Sequence, residues 1–273
     1  MTNQPQDNDW SAAMAQQAAQ LLLARRQTRS LGGRLPEACR PRTLMQAWQV
    51  QQLVTQAWPD AIAGWKCGLP APGKLVVGPI FRRDVQSLAL DGPAISLNGV
   101  AAGASSCRFE QEIGFVLAHD LPPRAEPYAP AEVDAAISHA CCALEVVGGR
   151  YNAEAAAEAA FPELLADGLF NSGLLLGPKF NDRPWRAFDL AFTVGGQHTS
   201  HAARNADGEP RPGLYWLANF LRENGLGLQA GQVVITGSMA GVPTWPAETR
   251  IQVQYEAQDA FDFSFTIPQE TNT

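Results

Sequence analysis

The chain has 273 residues, 46% of them hydrophobic and 17% charged, with a formal net charge of −7. That length can bury a sizeable core, while the acidic balance and the absence of a long basic run argue against nucleic acid as a partner, because neutralising phosphates takes clustered Lys and Arg. The longest apolar runs, such as Gly173 to Gly177, are far too short to span a bilayer.

The chain opens on MTNQPQDNDW, polar and acidic, with no charged-then-apolar leader pattern. Five cysteines (Cys39, Cys67, Cys107, Cys141 and Cys142) are scattered without a Cys-x-x-Cys spacing. An odd, unpatterned set reads as reduced thiols, so a cytoplasmic protein is expected. Trp10, Met14, Leu21 and Leu22 predict a helix over 9–27. A loop with two glycines and two prolines follows, and Leu44, Ala47, Trp48, Leu53 and Val54 predict a second helix over 43–58 that stops at Pro59.

After Pro59 the texture changes to short strands punctuated by Gly and Pro, at 63–67, 74–80, 86–90, 110–118, 141–147, 173–177, 188–194 and 232–236. Helices are expected at 130–140, opening on Pro130, and at 213–224, ending before Gly225. The chain closes on alternating Ile251, Val253, Tyr255 and Phe261, Phe263, Phe265 around the turn-like AQDA. Many strands with few helices between them point to an α+β fold with a mixed or antiparallel core. The expected division is a helical segment over 1–60 and a β-rich catalytic body over 61–273, with a single domain over 1–273 as the alternative.

Glu110 and Glu112 stand two apart in a strand, so both project from one face. Glu145 interrupts CCALEVVGG, a run otherwise suited to a buried strand. A buried carboxylate needs a cation, a donor or a proton. Three of them without His or Cys suit a hard ion such as Mg²⁺ or Mn²⁺; a solvated strand face is the alternative for Glu110 and Glu112. Lys66, in GWKCG, is either snorkelling to the surface or buried beside carboxylates as an acid/base group. Asp167, Asn171 and Ser172 form a polar turn that suits either chain reversal or ligand binding. In GQVVITGSMAGVP a strand delivers Ser238 into a Gly-containing loop whose N–H groups are free to face an anion.

Taken in order, Gly64-Trp65-Lys66, the Glu110-x-Glu112 block running to Asp120-Leu121-Pro122, the isolated Glu145, Ala166-Asp167-x₃-Asn171-Ser172-Gly173 and WLANFLRENGLGLQAGQVVITGS (216–238) form a pattern. It resembles the hydratase/decarboxylase branch of the fumarylacetoacetate hydrolase superfamily, and MQAWQVQQ (45–52) looks like that family's N-terminal helix. The resemblance implies that Glu110, Glu112 and Glu145 bind Mg²⁺ or Mn²⁺, that Lys66 and Asp167 act in catalysis, and that Asn171, Ser172 and Ser238 contact substrate. It also implies a β-roll, a strongly curved mixed sheet, as the catalytic body, and a homo-oligomer, with a complex with a pathway partner enzyme as a further expectation.

The implied activity is hydration of a small 2-hydroxy-2,4-dienoate such as the enol of 2-keto-4-pentenoate. The alternatives are decarboxylation of 2-oxo-3-hexenedioate, or a non-catalytic role as a metal–ligand binder or partner subunit. The segment after Lys66 is shorter than in that family, and Ala240 stands where many members carry Thr. No histidine precedes His119, which disfavours the carbon–carbon hydrolysis of the superfamily's other branch. A dianionic substrate would need a cation at its far end, for which Lys74, Arg82, Arg83 and Arg150 are candidates; a vinyl end would want an apolar wall, for which Phe170, Met239 and Trp245 are candidates.

Overall fold

The structure, a computed structural model, describes residues 10–88, 94–180, 188–205, 208–256 and 260–269. Two helices come first, α1 (Ala12–Thr28) and α2 (Leu44–Ala57). Ser11 caps α1 by accepting from the Met14 N–H, and Thr43 and Gln46 cap α2 reciprocally, satisfying backbone donors that a helix start leaves open. Further helices are α3 (Pro130–Ala136), α4 (Ala153–Glu158), α5 (Phe161–Ala166) and α6 (Arg211–Glu223). Among the described residues no helix is long and apolar enough to cross a membrane.

The strands are β1 (Ile62–Cys67), β2 (Val77–Phe81), β3 (Val85–Ser87), β4 (Ile95–Ser96), β5 (Ser106–Leu117), β6 (Ile137–Val147), β7 (Asn171–Lys179), β8 (Phe188–Val194), β9 (Gln197–Ala203), β10 (Val233–Ile235), β11 (Thr244–Pro246), β12 (Ile251–Tyr255), β13 (Phe261–Phe263) and β14 (Phe265–Thr266). The main sheet runs β2-β1-β10-β5-β6-β7-β3, with β11 also on β5. It is mixed: β1–β10 and β3–β7 are parallel, and the other pairings are antiparallel. A second, antiparallel sheet has the order β13-β12-β8-β9. The fold is α+β, as the sequence leads one to expect.

Two expectations are corrected, and two helices are added to those expected. The helix opening on Pro130 ends at Ala136, and β6 begins at Ile137. Ile137 to Ala140 are therefore extended, because that run must pair with Phe115 to Leu117 of β5. β5 begins at Ser106, four residues before the strand expected at 110–118. The run from Ala153 to Ala166 folds into α4 and α5. Residues 89 and 90 of the expected strand 86–90, and most of AQDA, lie outside the described residues.

The long strand β5 organises both layers. Its odd positions Cys107, Phe109, Ile113, Phe115 and Leu117 are buried in the large core, where Phe109 stacks on Trp245 at 4.9 Å between ring centroids. Its even positions Arg108, Glu110, Glu112, Gly114 and Val116 face the other way. Register then fixes their neighbours: Glu110 opposes Glu145, Glu112 opposes Ala143, Gly114 opposes Ile235, and Ile235 in turn opposes Lys66. On this second face Ile80, Ala143, Leu174, Val233 and Ile235 form a small separate apolar cluster. The charged residues stand at its end.

Candidate active site

Three strands bring the charged groups together. Glu110 and Glu112 come from β5, Glu145 from β6 and Lys66 from β1. One carboxylate oxygen from each glutamate lies within 4.8 Å of the others. Glu112 and Glu145 are buried, at 1% and 0% exposure, and Glu110 is half-buried. The Lys66 ammonium donates to Glu145 Oε1 at 2.7 Å and to the Leu169 carbonyl at 3.0 Å. This Lys66 is half-buried beside carboxylates, its side chain 12% exposed, not snorkelling.

The local sequence explains why each group can get there. A Cβ at Gly78, which opposes Lys66 across β1–β2, would lie 2.9 Å from the Gly168 carbonyl and 3.3 Å from the lysine's Cγ. Glycine there leaves room for the lysine stem and for the turn that caps it. That turn carries positive φ at Gly168 (75°), Leu169 (51°) and Phe170 (68°). A left-handed Leu and Phe in succession are uncommon, and such strain clusters at working sites. Here it aims the Leu169 carbonyl at Lys66.

Asn171 reaches the cluster through a register shift. Glu145 pairs with Leu174 but Val147 pairs with Asn171, so one extra residue is accommodated between them. Asn171 therefore shares the face of Glu145, and its amide donates to Glu145 Oε1 at 2.9 Å. Gly173 sits inside this irregularity with φ 141°, where a Cβ would lie 2.7 Å from the Asp84 carbonyl. From the other side, the loop after β10 supplies the Gly237 N–H to Glu112 Oε2 at 2.6 Å.

Charge balance is the main feature. Burial, then the Glu145 charge, pushes the Glu110 carboxyl up to about 7, with Lys66 opposing. Burial likewise drives Glu112 well above its ordinary value, reinforced by Glu145 and Glu110. Burial also works against charge on Lys66, but Glu145, Glu110 and Glu112 outweigh it and hold the ammonium above its ordinary range. Glu145 Oε2 is buried with no hydrogen-bond partner. Three carboxylates against one ammonium leave an excess of negative charge around an unsatisfied buried oxygen. An all-oxygen donor set of this kind fits a hard divalent ion such as Mg²⁺ or Mn²⁺.

The raised Glu110 and Glu112 values mean that the folded protein holds protons which an unfolded chain releases from about pH 4.5 upward. A divalent ion must displace them. Titration calorimetry with Mn²⁺ in buffers of different ionisation enthalpy should show net proton release near pH 6. The release should shrink as pH rises past about 7 and Glu110 ionises unaided, and apparent affinity should climb over the same range.

The remaining candidates divide. Asp167 turns away from the carboxylates to a buried ion pair with Arg150, Nε to Oδ1 at 2.7 Å, and its Oδ2 accepts from the Arg150 N–H at 2.9 Å. The same guanidinium donates to the Asp167 and Asn171 carbonyls and to Ser172 Oγ. Arg150 is thus buried and fully engaged, which removes it as a free cation for a substrate's far end. Arg83 is tied to Asp60 and the Pro59 carbonyl. Ser238 closes its own turn, its hydroxyl donating to the Gly241 carbonyl at 2.7 Å.

The expected apolar wall also changes. Met239 and Trp245 are 3% exposed, and Trp245 lies among Phe109, Phe192 and Phe263 on the opposite face of β5 from the glutamates. Phe170 alone stays on the site's side. Sequence reasoning passed over the Leu169 carbonyl and the Gly237 N–H, since backbone groups leave no residue-type signal.

No family model matches the chain. A curated 2-hydroxyhexa-2,4-dienoate hydratase from Comamonas testosteroni is 29% identical over 182 residues, 64% of this chain and 66% of the relative, so the match spans just under two thirds of that protein. The 2-keto-4-pentenoate hydratase 1 of Dechloromonas aromatica (strain RCB) is 26% identical over 225 residues, 77% of this chain and 81% of the relative. In fold, the chain is similar to a 4-oxalocrotonate decarboxylase from Pseudomonas putida G7, solved with magnesium and adipate. The TM-score is 0.75 at 18% identity, covering 94% of this chain and 99% of that one. A curved mixed sheet presenting three convergent glutamates and a lysine defines an acid-lined site of the metal-chelating kind. The curated relatives support the resemblance to the hydratase/decarboxylase branch of the fumarylacetoacetate hydrolase superfamily, and the fold agrees with it.

Proposed function

We propose that the chain is a divalent-metal-dependent lyase that adds water to a small 2-hydroxy-2,4-dienoate, such as the enol of 2-keto-4-pentenoate. The observation that carries this reading is the convergence of Glu110, Glu112 and Glu145 within 4.8 Å around an unsatisfied buried oxygen, with Lys66 beside them. The curated hydratases support the substrate class. The main sheet would be the β-roll that carries the site.

Glu110, Glu112 and Glu145 would hold Mg²⁺ or Mn²⁺. When bound, the ion supplies Lewis acidity toward the carboxylate and 2-oxygen of a 2-oxo acid and steadies enolate charge. Lys66 keeps its proton at neutral pH and is aimed by two fixed acceptors, Glu145 Oε1 and the Leu169 carbonyl. Its Nζ is placed to hold negative charge at the enol oxygen and to pass a proton when the dienol becomes the α,β-unsaturated ketone. Water then adds at C4. Asn171 holds Glu145, and the Gly237 N–H holds Glu112, so both carboxylates keep one orientation. Asp167 and Ser172 act one step back: they fix Arg150, which grips the Asn171 carbonyl. Ser238 shapes the loop that delivers Gly237.

The test is turnover of 2-hydroxypenta-2,4-dienoate by the purified protein with Mg²⁺ or Mn²⁺. Metal-dependent formation of 4-hydroxy-2-oxopentanoate, lost on chelation, is expected. Turnover of 2-oxo-3-hexenedioate alone, with release of CO₂, would assign decarboxylation in its place, because both reactions pass through the same kind of enolate. Turnover of neither would favour the non-catalytic reading.

A further inference from the structure

One side chain of α2 ties together the two backbones that stand against Lys66. Gln51 is 2% exposed, and its amide Nε2 donates to the Leu165 carbonyl at 2.7 Å and to the Val77 carbonyl at 3.0 Å. Both partners are carbonyls, so only the nitrogen end of the amide can face them. That leaves Oε1 buried without a hydrogen-bond partner. An unpaired buried acceptor is costly, and a Leu or Met of similar size would avoid the cost. What sets a glutamine apart at this position is therefore what its two donors hold.

Val77 opposes Cys67 across β1–β2 and precedes Gly78, which opposes Lys66. Leu165 stands near the end of α5, and its carbonyl also accepts from the Gly168 N–H at 3.0 Å. Gly78 and Gly168 are where β2 and the left-handed turn touch: a Cβ at Gly78 would meet both the Gly168 carbonyl and the Lys66 stem. Gln51 staples the two backbones beside that contact. Leu169 and Phe170 at successive positive φ persist only where their surroundings over-determine them. Arg150 supplies part of that constraint by holding the carbonyls at the turn's two ends, Asp167 and Asn171. Those bonds fix the ends to one another, but not the distance of the turn from β2. Gln51 fixes that distance, and with it the 3.0 Å reach from Lys66 Nζ to the Leu169 carbonyl.

We infer that Gln51 is a positioning residue for Lys66: from α2 it sets the 168–170 turn against β2 and so holds the Leu169 carbonyl where it aims the ammonium. The effect on turnover rests on Lys66 passing the proton, as proposed above. The inference makes α2 part of the site's machinery and not packing alone.

The test is Gln51→Met, which keeps the length of the side chain and removes both donors. With Mg²⁺ and 2-hydroxypenta-2,4-dienoate, kcat should fall by about 10- to 100-fold, the loss that a misplacement of about 1 Å brings. KM and Mn²⁺ affinity should each stay within about 3-fold, because the glutamates stand on β5 and β6 and Arg150 still holds Asn171. In a Lys66→Ala background the same substitution should change kcat by less than about 3-fold, since an effect exerted through Lys66 has nothing left to act on. A crystal structure of metal-free Gln51→Met gives a reading that needs no turnover. There the 168–170 turn should draw away from Gly78, and Lys66 Nζ should part from the Leu169 carbonyl while keeping its bond to Glu145. If Gln51→Met fails to fold, Gln51→Asn, whose shorter amide reaches no more than one of the two carbonyls, carries the same measurements. The shifted turn in a protein that turns over no dienoate would leave the inference standing and remove the lyase reading alone. An unchanged turn with Lys66 still on the Leu169 carbonyl, an unchanged kcat, or a loss carried in full into the Lys66→Ala background would overturn it.

Discussion

Lys66→Ala is expected to lower kcat by about 10³-fold or more while leaving divalent-metal affinity largely intact, within the range that a positioned proton donor contributes. The geometry sets the expectation. Lys66 is 12% exposed, bonded to Glu145 at 2.7 Å, and held protonated by the surrounding carboxylates against the cost of burial. Its removal also leaves Glu145 buried with one donor fewer. Without metal, the variant should lose about 3–5 kcal/mol of stability, as when one partner of a buried ion pair is deleted. With Mn²⁺ much of that loss should return, because a divalent charge replaces the ammonium beside Glu145. Steady-state kinetics with Mg²⁺, and thermal melts with and without Mn²⁺, read the two halves separately. Undiminished turnover would assign Lys66 a structural role only.

Glu112→Gln should act in the opposite sense on the metal-free protein. Metal affinity should fall by about 100-fold or more, since one of three anionic oxygens is lost from a site with no fourth carboxylate among the described residues. Yet the metal-free fold should become more stable, by about 1–4 kcal/mol near neutral pH. Burial raises the Glu112 carboxyl well above its ordinary value, and Glu145 and Glu110 add to this. The native state therefore binds more protons than the unfolded chain above about pH 4.5, and wild-type stability falls as pH rises through that region. A glutamine carries no such charge and can still accept from the Gly237 N–H. The variant's advantage should vanish below about pH 4 and grow toward pH 8. Melts in a chelator across that range, beside Mn²⁺ titrations, measure both effects. A variant that is destabilised without metal at pH 8 would show that the carboxylate has a structural role unrelated to an ion.

The two results are informative together. A cluster built for structure should lose stability whichever member is changed. A cluster held short of a cation should lose stability when its positive member goes and gain it when a negative member goes.

How far the sequence revealed this site depended on the kind of signal. Glu110, Glu112, Glu145 and Lys66 stood out because each is a charge in an apolar run, and such a residue is costly to bury without a partner. Their meeting required the register of β5 with β6 and of β1 with β10, which is set by long-range pairing. Asn171 and Ser172 were equivalent as a polar pair at a turn; the irregularity between Glu145 and Val147 sends one to Glu145 and leaves the other to Arg150. Trp245 read as an apolar flank of the substrate loop, but pairing of β11 with β5 puts it in the core. Ile137 to Ala140 followed a helical start at Pro130, and the demand of β5 for a partner overrode it.

The most direct measurement is the anomalous difference density of a crystal soaked in Mn²⁺ and oxalate. One Mn²⁺ is expected, bound at ~2.0–2.3 Å by an oxygen from each of Glu110, Glu112 and Glu145, with oxalate completing its coordination and Lys66 Nζ facing the ligand. A peak elsewhere, or no peak with the Lys66–Glu145 bridge unchanged, would contradict the account.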